Sequence, residues 1–266
     1  MTLSRRARLA LALAMSFGLA VIYVPLLVVL VNSVNSSRTF GWPPAGFTLE
    51  WWRRAASSSG VRDAALTSVL VALGATAIAL VLGTMLAFAV QRYRFFGRDV
   101  VSFLVILPIA LPGIVTGIAL NAAFTAGGVP FGYLTVIIGH ATFCIVLVHN
   151  NVLARLRRLG TSLEDASADL GADAFLTFRR VTFPQLRSAL LAGGLLAFAL
   201  SFDEIVVTTF TISPGLETLP VWIFGNLFRP NQAPVVNVVA AVLVLLSVVP
   251  IWAAQRLSTD SSGGRL

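Results

Sequence analysis

Two neighbouring carboxylates, Asp203 and Glu204, stand inside an otherwise apolar run, Ala189–Ile212. A charge at membrane depth costs at least about 2.5 kcal/mol to insert, so both acids are expected to face a water-filled cavity or a partner. They fall about 5 Å of helix rise beyond the midpoint of the run. At helical spacing Ser201, Glu204, Thr208 and Thr211 form one polar stripe, with Asp203 about 100° round from it. Such a stripe is expected to wall a solute pathway, and paired acids there favour a cationic solute and repel anions. Either acid alone could equally bond a neighbouring helix or a backbone group and touch no solute.

A second polar stretch, Arg155–Arg187, lies between two apolar runs and is too ordered in pattern for a plain connector. Thr161-Ser162 can cap a helix whose first turn carries Glu164 and Asp165, where carboxylates suit the positive helix end. Gly171 can end that helix. Asp173 can cap a second one through Phe175, Phe178 and Val181, until Pro184 breaks or bends it on entry to the next apolar run. Two short helices joined at a glycine elbow are the expectation. The exposed acids, Arg179 and Arg180, and the apolar Leu163, Leu170, Phe175 and Phe178 would suit a docking surface.

Several chemistries are excluded by what the chain lacks. All 19 basic residues are arginine, so no lysine is present for a Walker phosphate loop or a Schiff base. A single cysteine, Cys144, rules out an internal disulfide and a cysteine metal cluster. The two histidines, His140 and His149, are nine residues apart on one expected helix, about 900° of rotation, and so fall on opposite faces; packed or interfacial histidines are expected, with no metal. No G-x-S-x-G or H-E-x-x-H pattern occurs. A non-catalytic protein with no resident metal or cofactor is expected.

The elements that must carry these residues are membrane helices. Over 266 residues, 57% are hydrophobic and 11% charged, and the mean hydropathy is +0.89. Six runs reach the roughly 20 apolar residues that a bilayer requires: about Leu9–Val31, Ala64–Val90, Val100–Asn121, Phe131–Leu153, Ala189–Ile212 and Val235–Ala254. Their length and continuity favour helices over barrel strands, giving an all-α integral membrane protein taken as one transmembrane domain over 1–266. Arg5, Arg6 and Arg8 before the first run could open a signal peptide, but a 23-residue apolar stretch without a small-x-small cleavage site favours a retained anchor. With the N-terminus inside, 14 arginines fall on the cytoplasmic side and only Arg38, Arg53, Arg54, Arg62 and Arg229 outside. Both termini and the 155–187 stretch are then cytoplasmic. The net charge of +8 is explained by topology, because the arginines are scattered at segment ends and form no patch for nucleic acid.

The cytoplasmic stretch resembles the EAA loop of the permease subunits of bacterial ABC importers, whose pattern is E-A-A, three residues, Gly, nine residues, then I-x-L-P. Asp165-Ala166-Ser167 stand at E-A-A, Gly171 at the glycine, Val181 at the isoleucine and Phe183-Pro184 at the last pair. Every spacing holds, with four conservative departures; Asp165 with Glu164 beside it leaves open which carboxylate takes the family's role. A six-helix core with this loop between the fourth and fifth segments is the family's arrangement, a type I permease fold spanning essentially the whole chain. The resemblance implies that Glu164, Asp165, Ala166, Ser167, Gly171 and Pro184 belong to a coupling helix that docks in a cytoplasmic ATPase. ATP and Mg would then be handled by two partner ATP-binding subunits. A second, similar permease, a periplasmic solute-binding protein and the surrounding membrane lipid complete the implied partners, in the bacterial inner membrane.

Ser201-Phe202-Asp203-Glu204-Ile205-Val206-Val207, Phe47-Thr48-Leu49-Glu50-Trp51-Trp52 and Thr218-Leu219-Pro220 resemble the spermidine/putrescine permeases in particular. That resemblance implies a role for Ser201, Asp203 and Glu204 in polyamine uptake and, more loosely, for Trp51 or Trp52, where an aromatic could bind a cation face-on. An iron(III) permease and an ion-coupled secondary carrier are the alternatives. Elsewhere, Pro108, Pro112, Gly113 and Gly117 interrupt the third segment, where a packing kink is expected and Gly113-x-x-x-Gly117 permits close helix contact. The stretches Asn32–Asp63 and Ser213–Pro234 are expected to be external, with Trp42, Trp51, Trp52 and Trp222 as possible interfacial anchors.

Overall fold

The computed structural model describes residues 4–38 and 43–262, with side chains described through residue 247; Trp42, one of the expected anchors, lies outside these residues. The helices run in the order α1 (Arg5–Asn32), α2 (Glu50–Ser57), α3 (Ser59–Arg92), α4 (Arg98–Ala110), α5 (Gly113–Ala126) and α6 (Tyr133–Leu159). They continue with α7 (Ser162–Asp169), α8 (Ala174–Thr177), α9 (Phe183–Phe202), α10 (Val206–Thr211), α11 (Leu219–Asn226) and α12 (Ala233–Ser262). A single antiparallel bridge, Asn35 with Phe47, is the only strand-type pairing among the described residues.

Four helices are long and apolar enough to cross a bilayer: α1, α3, α6 and the continuous stretch Ala174–Phe202. The third segment is a broken pair, since α4 and α5 meet at 107°. The apolar Ala233–Ser247 portion of α12 completes the order of six. The third segment is therefore not the kinked single helix that its prolines suggested. Leu111 is extended (φ −80, ψ 145), as a residue before proline tends to be, and Pro112 starts a new helix instead of bending an old one.

The chain, taken from sequence as one domain, consists of two compact units: Met1–Arg62 with Ile223–Leu266, and Asp63–Trp222. In the first, α1 is capped by Ser4, whose Oγ accepts from Ala7 N at 3.2 Å, and packs on α12, as α2 also does. The second unit holds both candidate sites. Its core joins Ala79 and Ala87 of α3, Cys144, Val148, Val152 and Leu156 of α6, and Leu186 and Ala197 of α9, each fully buried. Small side chains on α3 and α9 let these helices approach α6 closely, the packing mode that works where lipid competes with every apolar contact. Arg155 Nε donates to Gln185 O at 3.0 Å, tying the end of α6 to the start of α9.

Candidate functional site

The elbow forms from local signals. Glu164 and Asp165 sit in the first turn of α7, and Gly171, at φ +82, ends the helix in the left-handed conformation that glycine adopts without a Cβ penalty. Gly171 N donates to Ala168 O at 2.8 Å and Ala172 N to Ser167 O at 3.1 Å, the paired 5→2 and 6→1 bonds of a Schellman ending. Asp173 then caps α8, its Oδ1 accepting from Leu176 N at 2.7 Å. Across the elbow, Ser167 Oγ and Thr177 Oγ1 are hydrogen-bonded at 2.9 Å.

Two local expectations need correction. Thr161 is the N-cap residue of α7 but makes no side-chain cap bond; its backbone is already helical (φ −116, ψ −11). Pro184 also does not break the second helix. A π turn over Phe178–Thr182 precedes it, with Phe183 N bonded to Phe178 O, and the helix runs on from Ala174 to Phe202. Pro184 lacks an N–H, so the Arg180 carbonyl has no α-helical donor; wider π pairing absorbs the mismatch and the helix stays continuous. The elbow is thereby continuous with the fifth span, one 29-residue rod.

The structure separates the two adjacent acids. Glu164 turns inward: its Oε1 accepts from Arg92 Nη2 at 3.0 Å and from Thr182 Oγ1 at 2.9 Å, while Arg92 Nη2 also donates to Gly160 O at 2.8 Å. It thus joins α7 to the end of α3 and to Thr182, the buried residue of the π turn. Asp165 is exposed and has no ion-pair partner among the described residues. Ala166 is exposed beside it, and Leu163, Leu170 and Phe175 are uncovered, Leu170 to 90%.

The fifth span ends sooner than its hydropathy suggests, and the expected stripe Ser201, Glu204, Thr208, Thr211 does not lie on one continuous helix. α9 stops at Phe202, residues 203–205 are non-helical, and α10 resumes for six residues. Ile205 through Thr209 are all β-branched, which lowers helix propensity, and their hydroxyls bond carbonyls four residues back. Glu204 Oε1 accepts from Val207 N at 2.9 Å, offering the backbone a partner other than the helix ladder. Asp203 is exposed and Glu204 half-buried, and neither is ion-paired among the described residues. Ser201, Thr208 and Thr211 are buried.

The free ends of α10 are met from neighbouring helices. Asn121 Nδ2 of α5 donates to Phe210 O at 2.6 Å, and Thr135 Oγ1 of α6 donates to Thr211 O at 2.7 Å. Gly117 permits the α5 approach, since a Cβ there would stand 2.6 Å from the Phe210 ring. His140, fully buried, has Nδ1 2.8 Å from Ser201 Oγ and Nε2 2.8 Å from Thr208 Oγ1, so it is a bonded core histidine. Asn121 and Thr135 carry no sequence signal beyond polarity inside an apolar run, whereas His140 is expected as a packed histidine and Gly117 as a point of close helix contact. Trp51 and Trp52 belong to the first unit. Trp51 is buried, its Nε1 donates to Asn35 O at 2.9 Å, and the Arg54 guanidinium covers its ring at 4.8 Å. Trp52 is half-buried and its Nε1 has no partner among the described residues. Among those residues no group of His, Cys, Asp and Glu could hold a metal.

A family model described as binding-protein-dependent transport system inner membrane component matches residues 79–260, which include both the elbow and the broken span. The chain belongs to this family. It is a multi-pass inner-membrane permease of the ABC importer class and works in a complex with other subunits. Among its relatives is the spermidine/putrescine transport system permease protein PotC of Escherichia coli (strain K12), 34% identical over 92% of each chain. The putrescine transport system permease protein PotI of the same strain is 32% identical over 85% of this chain and 83% of its own length. A bacterial ABC transporter involved in alginate import has a chain with the same fold, at a TM-score of 0.71 and 17% identity, covering 98% of this chain and 99% of that one. Such permeases are non-catalytic membrane subunits, in line with the missing catalytic constellations.

Proposed function

We propose that this permease forms half of the translocation path of a polyamine importer, with putrescine or spermidine as the solute. The observation that carries the proposal is the pair Asp203 and Glu204, set at a break in a membrane span and not ion-paired among the described residues. Carboxylates held in that way need a cation, and an alkylammonium group from the solute supplies it. The names of the relatives at 34% and 32% identity support the same solute class and give no support to an iron(III) permease. An ion-coupled secondary carrier does not fit a binding-protein-dependent family.

The elbow would dock in a groove of a cytoplasmic ATP-binding subunit through Asp165, Ala166, Leu163, Leu170 and Phe175. Two such subunits would bind ATP and Mg, a second similar permease would close the path, and a periplasmic binding protein would deliver the solute. Both termini would be cytoplasmic. Movement of α7 passes through the elbow into the rod that ends at Asp203, so ATPase closure and access to the acids would be linked by rigid-body motion. Uptake and ATPase activity of the reconstituted complex, assayed against putrescine, spermidine, ferric ion and amino acids, test the proposal. Polyamine-stimulated uptake is expected, and uptake of ferric ion or amino acids without polyamines would overturn it. 2-Aminoethylphosphonate belongs in the same panel, because a relative named as its putative permease in Salmonella typhi is 30% identical over 88% of this chain.

A further inference from the structure

Interruption of a membrane span leaves backbone groups without ladder partners and leaves two helix pieces free to shift. At residues 203–205 one side chain reaches both pieces. The His140 ring meets Ser201, the next-to-last residue of α9, and Thr208, in the first turn of α10, at 2.8 Å each. All three side chains are buried, His140 and Thr208 completely.

The direction of the bonds follows from donor supply. With the Thr208 Oγ1 proton on Glu204 O, 2.8 Å away, the hydroxyl can only accept from His140. Nε2 therefore carries the hydrogen, Nδ1 is the acceptor, and Ser201 donates to it. A one-way chain results, from the Ser201 hydroxyl through the ring and the Thr208 hydroxyl to the Glu204 carbonyl, and such chains polarise each link. Glu204 is then held twice, at its carbonyl by this chain and at its carboxylate by Val207 N at 2.9 Å. A rigid imidazole fixes the distance between its two nitrogens, so it fixes the register of α9 against α10 in a way that two independent side chains would not.

We propose that His140 is a positioning residue of the transport pathway, a clip across the broken fifth span that sets the orientation of Glu204 toward solute. This inference deepens the pathway proposed above and rests on it. His140→Phe keeps the ring volume and removes both bonds. Reconstituted with its partner subunits, H140F is expected to assemble at normal yield and to raise the putrescine KM about tenfold, with the maximal rate falling less, as expected for loss of about two buried hydrogen bonds. Adding Ser201→Ala to H140F should change KM by less than about twofold, because the bond between Ser201 and the ring is already gone. The lone native thiol, Cys144, is buried, so Asp203→Cys offers one reactive thiol; its maleimide labelling should quicken about threefold or more in H140F as the break loosens.

Normal KM and unchanged labelling in H140F would overturn the clip, as would a multiplicative effect of adding Ser201→Ala. Should H140F not assemble, S201A and T208V singly carry the test: a raised KM in both, with less than the product in the double variant, supports the clip, and normal KM in both overturns it. Glu204→Gln in the same vesicles separates the two levels. If E204Q is impaired and H140F is normal, only the clip fails; if E204Q is normal, the pathway fails first.

Discussion

Glu164 and Asp165 differ by one position and are expected to fail in different ways. The Arg92–Glu164 pair is 3.0 Å apart, with side chains only 14% and 25% exposed. The gross attraction at an effective dielectric of 20 is about 5.5 kcal/mol, most of which desolvation offsets. What Glu164→Ala removes is then better measured by its bonds: one charge-assisted contact to Arg92 and one from Thr182, together about 2 kcal/mol net. If those bonds hold α7 against the rod, their loss shifts the equilibrium between tied and loose elbows by about 30-fold. ATPase activity should then persist while solute moved per ATP falls, with affinity for the ATP-binding subunit nearly normal. Asp165→Ala touches no internal bond and should instead weaken subunit binding, with coupling restored at high ATPase-subunit concentration. The decisive assay is the ratio of putrescine imported to phosphate released in proteoliposomes, with subunit affinity measured alongside. Coupled transport at the normal ratio in E164A, or a subunit-affinity loss in E164A equal to that in D165A, would refute this division of labour.

Glu204→Gln keeps an oxygen to accept from Val207 N and removes only the charge, so uptake should fall about tenfold while the complex still co-purifies; this takes a partly desolvated ion contact as about 1.4 kcal/mol. Gly117→Val forces atoms into the Phe210 ring, 2.6 Å from a Cβ, and should destabilise by about 1–3 kcal/mol, read as a lower unfolding temperature in detergent; an unchanged value would mean that α5 and α10 separate without cost. Leu170→Asp removes the most exposed large apolar side chain of the elbow, 90% uncovered, and should cost at least about tenfold in binding to the ATP-binding subunit with no loss of permease stability.

The environment and most of the elbow can be read from the chain alone, because both rest on local physics. Apolar run length defines a bilayer span whatever its neighbours, and Gly171 and Asp173 do their work with backbone groups no more than a few residues away. Run length could not reveal where a span is interrupted. The third segment turns through 107° at Leu111-Pro112, and the fifth stops at Phe202, where Glu204 Oε1 takes the Val207 N–H in place of a ladder carbonyl. Asn121, Thr135 and His140 supply partners to α10 from 68 to 89 residues away, a distance at which spacing carries no signal. The roles of Glu164 and Asp165 were likewise undecidable from their order. Only packing of α3 brings Arg92 beside one of them, 72 residues distant, and leaves the other facing solvent.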